Sequence, residues 1–314
     1  MRLVSLVPIG TKLDFMRFRK VAAVISLALC VVSLGLFIGK GLNYGIDFRG
    51  GIMMEIRTPN VADLSKLRST LGDLGLGEVQ LQEFGQPTDV LIRIERQPGG
   101  DKAQADAVKK AKAALGKGID YRRTEFVGPK VGGELIEAGI TAVLCALAAM
   151  LVYIWFRFEW QFGVGAVIAL MHDVILTIGI FSILGLEFNL STVAAILTIA
   201  GYSINDTVVV YDRVRENLRK YKTMSLNDLL NLSINGTLSR TILTSVTTLI
   251  ALLTLYFFGG EVIKGFGFAM IWGVLVGTYS SIFIAVPLLV YMNLRRTGLI
   301  VGETGDETNT EISD

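Results

Sequence analysis

Long apolar runs separated by short polar breaks divide the chain. A helix needs about 20 apolar residues to cross a bilayer. Six runs reach that scale: 21–39, 138–156, 162–186, 188–211, 241–260 and 265–294. His172 and Asp173 are the only interruptions of the third run, Asp206 is the only charge in the fourth, and Pro287 lies near the end of the sixth. Between the first two runs the period changes. "GIMMEIRT" and "VQLQEF" read as strands, and "DVLIRIER" alternates apolar and polar residues with period two. "NVADLSKLRSTLGDL" places Val61, Leu64, Leu67 and Leu71 at helical spacing. "DKAQADAVKKAKAALGKG" reads as an alanine-rich helix opened by Asp101 and closed by Gly116 and Gly118. "IDYRRTEFV" reads as a last strand. The order β-α-β-β-α-β is that of a ferredoxin-like domain.

The pattern predicts a polytopic α-helical membrane protein with six transmembrane helices and an α+β ferredoxin-like domain between helices 1 and 2. Its expected parts are a tail 1–20, helix 1 at 21–39, an outer domain 40–133, helices 2–6 within 134–294 with a loop 212–239, and a tail 295–314. Lys and Arg in short loops set orientation. They gather in the first tail, at Arg157, in 212–239 and at Arg295 and Arg296, whereas the other side offers only Lys264. Both termini and 212–239 are therefore expected in the cytoplasm, and 40–133 outside.

Composition agrees. Of 314 residues 52% are hydrophobic and 18% charged, and the mean hydropathy of +0.54 excludes an ordinary soluble domain. A net charge of +2 gives no reason to expect nucleic acid. Cys30 and Cys145 lie in apolar runs and form no disulfide framework. No cleavable signal peptide is visible; the first run reads as an uncleaved span. No phosphate loop, dinucleotide fingerprint or nucleophile with a base partner occurs. The single histidine makes no metal site. No enzyme activity, cofactor or metal is expected.

The candidate chemistry lies inside the membrane. Asp206 precedes Asp212, where the charged end begins, by six residues, about 9 Å along a helix. Thr198, Tyr202 and Asn205 share or flank its face. On the next span Arg240, Thr244 and Thr248 fall on one face. Pairing Asp206 with Arg240 is the cheapest way to keep both charges, and an intramembrane carboxylate usually marks an ion or proton path. The plainer alternative puts Asp206 at the interface and lets Arg240 snorkel to the headgroups. Asp173 faces the same polar seam or serves as packing glue. His172, about 100° around the helix from it, is not expected to form one site with it, and is a relay candidate only. "DFRGG" (47–51) reads as a turn.

"GIDFRGG", "ALMHD", "GYSINDTVVVYDRVREN" and "SRTILTSVTTL" together resemble the SecF family of bacterial protein-export membrane subunits, within the resistance-nodulation-division superfamily. The resemblance covers nearly the whole chain. It implies an accessory subunit of the Sec preprotein translocase in the inner membrane, driven by the proton motive force. It implies SecD as a six-span partner, the SecY-SecE-SecG channel, SecA indirectly, and an unfolded preprotein as substrate among membrane lipids. It also implies a periplasmic location for 40–133, and carries the family's proton-site aspartate onto Asp206 and its partners onto Arg240 and Thr244. Tyr211 stands where many members have phenylalanine, a change expected to matter little. A small-molecule or lipid exporter of the same superfamily, and a non-transporting scaffold, are the competing functions.

Overall fold

The computed structural model describes residues 8, 11–127, 129–259, 261–292 and 294. The acidic tail and Arg295 and Arg296 lie outside them. Helix α1 (Arg19–Gly39) leads through β1 (Asn43–Tyr44) and a single turn, α2 (Ile46–Arg49), into the α+β domain. That domain comprises β2 (Gly51–Arg57), α3 (Leu64–Gly72), β3 (Val79–Phe84), β4 (Gln86–Ile94), α4 (Gly100–Leu115) and β5 (Asp120–Val127). There follow α5 (Pro129–Arg157), α6 (Trp160–Leu184), β6 (Glu187–Phe188), α7 (Leu190–Lys220) and α8 (Leu226–Phe258). Helix α9 (Glu261–Ser280) continues through a π segment, Ser281–Ala285, into α10 (Val286–Tyr291). Among the described residues, six helical stretches are long and apolar enough to cross a membrane. α6, α7 and the last stretch form the centre of the bundle, while α1, α5 and α8 expose most of their apolar surface.

The four-stranded sheet of this domain has the order β3-β4-β2-β5 with antiparallel neighbours, the ferredoxin-like arrangement expected. Alternation explains its core. Ile52, Met54 and Ile56 of β2 and Val90 and Ile92 of β4 point to one face and are fully buried, packed with Leu71 and Ala111 of the two helices. Each such large side chain contributes about 1.5–3 kcal/mol. Asp63 caps α3, accepting from the amides of Ser65 and Lys66, both at 3.0 Å. Asp89 is buried on β4 against the Arg57 guanidinium (2.5 and 2.7 Å), whose hydrogen bonds hold its carboxyl below the usual carboxylate range.

Several local expectations change. Residues 212–239, expected as a loop, are mostly helix: α7 runs to Lys220, α8 starts at Leu226, and only five residues connect them. Charges there conceal an apolar stripe, because Val214, Leu229, Leu230 and Ile234 are buried together, and Asn217 Nδ2 donates to Ser233 Oγ (2.8 Å). The "DFRGG" turn contains α2, then two glycines. Gly51 has φ +113°, and a Cβ there would lie 2.7 Å from the Ile94 carbonyl oxygen, so β2 can begin against β4 only with glycine. The last span is not uniform α-helix. Pro287 offers no N–H and crowds the carbonyl four residues earlier, and the π segment lies there.

Candidate functional site

Helix α7 is continuous from Leu190 to Lys220, so Asp206 does lie about 9 Å inside Asp212. Asp212 forms a two-pronged contact with Arg157 Nη2 (2.8 Å to each oxygen) at the bundle's edge. Asp206 is buried. Its Oδ1 accepts the hydroxyl of Thr241 on α8 (2.8 Å). Its Oδ2 is buried without a hydrogen-bond partner among the described residues. The Ser281 hydroxyl lies beside it, but bonds the Gly277 carbonyl (2.9 Å) and Thr207 Oγ1 (3.0 Å). An ionised carboxylate held this way leaves half its acceptor capacity unsatisfied in a low-dielectric setting, which is costly. A proton on the carboxyl removes that charge. The site can therefore exist in a charged and a neutral form, differing in how well the surroundings tolerate them.

The expected direct pair with Arg240 is absent. Arg240 is exposed on α8; its charge is close enough to act on Asp206, but the two do not form a salt bridge. Thr244, also exposed, folds its hydroxyl back on the carbonyls of Arg240 (3.0 Å) and Thr241 (2.9 Å). The face of α8 turned inward is instead a ladder of hydroxyls four residues apart: Ser233, Thr237, Thr241 and Ser245, all buried. Packing of small hydroxyls, rather than the one cation, decides the rotation of the helix. Thr241 was the residue missed, and the ladder's spacing is the signal that finds it.

Tyr202 is half-buried and donates to Ser245 Oγ (3.3 Å), which is bonded to Thr278 Oγ1 (2.8 Å). Asn205, three residues further along α7, is exposed. Asp173 is fully buried and sits at the meeting of three helices. Its Oδ2 accepts from Ser203 of α7 (2.5 Å) and Ser280 of α9 (2.8 Å). It thus shares the seam of α7 with Asp206 and also bolts the bundle centre together. His172 and Asp173 do meet, contrary to expectation: His172 Nδ1 lies 2.9 Å from Asp173 Oδ1. The angle between neighbouring residues on a helix separates their Cβ atoms, but the ring and carboxyl turn back toward each other. His172 Nε2 is buried without a partner among the described residues.

Tyr211 makes a contact that a phenylalanine could not. Its ring is fully buried against Phe162, and its hydroxyl donates to the Ala285 carbonyl (2.9 Å), inside the π segment. Gly165 makes room, since a Cβ there would lie 2.3 Å from that hydroxyl. Tyr211→Phe is expected to remove this bond between α7 and the last span, at a cost of about 0.5–1.5 kcal/mol. Thermal unfolding in detergent checks this; an unchanged midpoint would show the bond to be dispensable.

Comparison with known proteins fits this architecture. The family model for the C-terminal part of the protein export membrane proteins SecD/SecF matches residues 107–295, and that for the SecD/SecF GG motif matches 35–58. The protein translocase subunit SecF of Rickettsia bellii (strain OSU 85-389) is 51% identical over 294 residues, covering 90% of this chain and 94% of that protein. SecF of Rickettsia felis is 50% identical over 301 residues, covering 93% and 95%. The crystal structure of SecDF, a translocon-associated membrane protein from Thermus thermophilus, matches with a TM-score of 0.83 at 37% identity, covering 92% of this chain; this chain spans 40% of that one. A SecDF in a super-membrane-facing form matches with a TM-score of 0.68 at 35% identity, with 93% and 40% covered. At half identity over nine-tenths of its length, the chain belongs to the SecD/SecF family of protein-export membrane proteins.

Proposed function

We propose that the chain is a proton-driven accessory subunit of the Sec preprotein translocase. It sits in the inner membrane with both termini cytoplasmic and the outer domain periplasmic, and it is not an enzyme. The observation that carries the reading is Asp206, a buried carboxyl within the membrane with one oxygen bonded to Thr241 and the other unpartnered. A scaffold would hold such a charge in a structural ion pair, and Asp206 and Arg240 do not form one. Proton binding at Asp206, answered by the charge of Arg240 nearby, gives the two states that a transport cycle needs. Thr244 belongs to the exposed part of this arrangement, on the side where a partner would lie.

That side also supports a membrane partner. Thr198, Gly201 and Asn205 on α7 and Arg240 and Thr244 on α8 are exposed along the bundle. Polar and charged groups facing lipid are expensive, and small residues let another helix approach closely. A second six-span bundle, SecD, is the occupant this reading assigns, with the SecY-SecE-SecG channel and SecA beyond it and an unfolded preprotein as substrate. SecDF joins such a match to further sequence in one chain.

The test is preprotein export into vesicles carrying the channel, motor and SecD, with or without this chain, and with or without a proton gradient. The gradient should accelerate export only when the chain is present. Equal acceleration without it would refute the proposal.

A further inference from the structure

The outer domain and the Asp206 helix are joined by one carboxylate outside the membrane core. Asp47, in α2 at the root of the domain, accepts a hydrogen bond on Oδ2 from the amide of Leu190 (2.9 Å). Leu190 is the first residue of α7. Its amide is one of those a helix cannot satisfy from within, and the carboxylate lies at the positive end of the helix dipole. Within α7 itself, Asn189 caps the amide of Thr192 (3.0 Å). The first turn of this helix is therefore completed in part by a residue more than a hundred positions earlier.

The contact is reinforced on both sides. Strands β1 and β6 pair in parallel, Asn43 with Glu187 and Tyr44 with Phe188. The Gly45 amide donates to the Phe188 carbonyl (2.8 Å), and the Phe48 and Phe188 rings stack at 5.9 Å. From the sheet, Arg93 of β4 forms an ion pair with Glu187. Ile46 packs with Met53 and Leu91 on the sheet's membrane-facing side. The root of the domain is thus bonded to Glu187 and Phe188, just ahead of α7, and to its first amide. From Leu190 to Asp206 the helix is unbroken through sixteen residue-to-residue steps, about 24 Å.

We propose that Asp47 is a positioning residue that makes the domain root and α7 one rigid lever, so that a displacement of α7 on protonation of Asp206 is delivered to the outer domain. The proposal rests on the proton-driven reading above. Asp47 does not handle the proton; it transmits the result. The junction stays closed throughout the cycle, and the hinges lie elsewhere.

Two quantities separate transmission from proton handling: proton uptake by vesicles containing the SecD complex, and the gradient-driven part of preprotein export. Asp47→Ala should keep proton uptake near wild type while gradient-driven export falls about tenfold, ~1.4 kcal/mol of lost coupling. Asp47→Asn retains an oxygen for the Leu190 amide but not the charge at the dipole, and should lose about threefold. It reads the same effect should the alanine variant fail to accumulate. The second arm is a covalent substitute. A Cβ at Gly45 would lie 3.2 Å from that of Asn189 and 2.5 Å from Glu187 Oε1; once the Glu187 carboxyl turns aside, cysteines at both positions need only a small outward shift to reach the Cβ spacing of about 3.5–4.5 Å that a disulfide takes. In Asp47→Ala with Gly45→Cys, Asn189→Cys, Cys30→Ser and Cys145→Ser, oxidation should restore gradient-driven export relative to the same reduced protein. Wild-type export in Asp47→Ala or Asp47→Asn, loss of proton uptake together with export, or no gain on oxidation each overturns the lever. Asp206→Asn is measured in parallel. If it still takes up protons, the proton-site reading fails whatever Asp47 does.

Discussion

Asp206→Asn is expected to remove the gradient-driven part of export while leaving the chain folded and assembled. Asparagine has the same shape, and its side-chain oxygen can still accept the Thr241 hydroxyl, which contacts Oδ1 at 2.8 Å in the native protein. Its NH2 group replaces an oxygen that has no donor among the described residues, so no hydrogen bond seen there is lost. What disappears is titration. A group that cannot change charge cannot bias two states by a proton, and a ligand with no differential affinity shifts no equilibrium. The ATP-driven part of export should persist. Arg240→Met should weaken gradient-driven export less completely, because the guanidinium acts on Asp206 by its field and not by contact. The exchange Asp206→Arg with Arg240→Asp should rescue nothing: the carboxylate would sit on an exposed position of α8 rather than in the buried site on α7. Native gels together with export rates check all three. Rescue by the exchange would show that the attraction matters rather than the position, and would favour a scaffold.

Asp173→Ala should have the largest effect on stability. The carboxylate takes hydroxyls from two other helices and touches the ring of its neighbour. Removing it strands Ser203 and His172 in the bundle centre, at about 1–3 kcal/mol for each group left unsatisfied, while Ser280 keeps only the Gly277 carbonyl (3.1 Å). Set against a total stability of about 5–15 kcal/mol for a typical protein, that should leave little folded protein in the membrane. Asp173→Asn, which retains an oxygen for the two serines, should fall between. Protein yield and thermal midpoint in mild detergent are the measurements. A wild-type midpoint for Asp173→Ala would show that the three-helix junction is held by apolar packing alone.

Much of the architecture is legible along the chain because two periods write it. Runs of apolar residues mark the spans, and alternation at Ile52, Met54 and Ile56 marks a strand with one buried face. The ferredoxin-like strand order follows from topology once the elements are named. The details of the site are less legible, since they depend on helix rotation and side-chain reach. On α8 the prominent residues are Arg240 and Thr244, yet the bundle turns the hydroxyl ladder through Thr241 inward because small groups pack there. His172 and Asp173 are adjacent, and periodicity separates their directions; only rotamers bring them within 2.9 Å. The junction at Asp47 was illegible for another reason. A two-residue strand has no period, and a hydrogen bond from the Leu190 amide leaves no mark on residue type at position 190.

The central claim is that protons pass through Asp206 during export. Vesicles containing the SecD complex with the channel and motor, loaded with a pH-sensitive dye and given preprotein under an imposed proton gradient, measure that passage directly. The account predicts proton entry in excess of the background leak with the wild-type chain, and only the leak with Asp206→Asn. Equal excess entry with both proteins would contradict it.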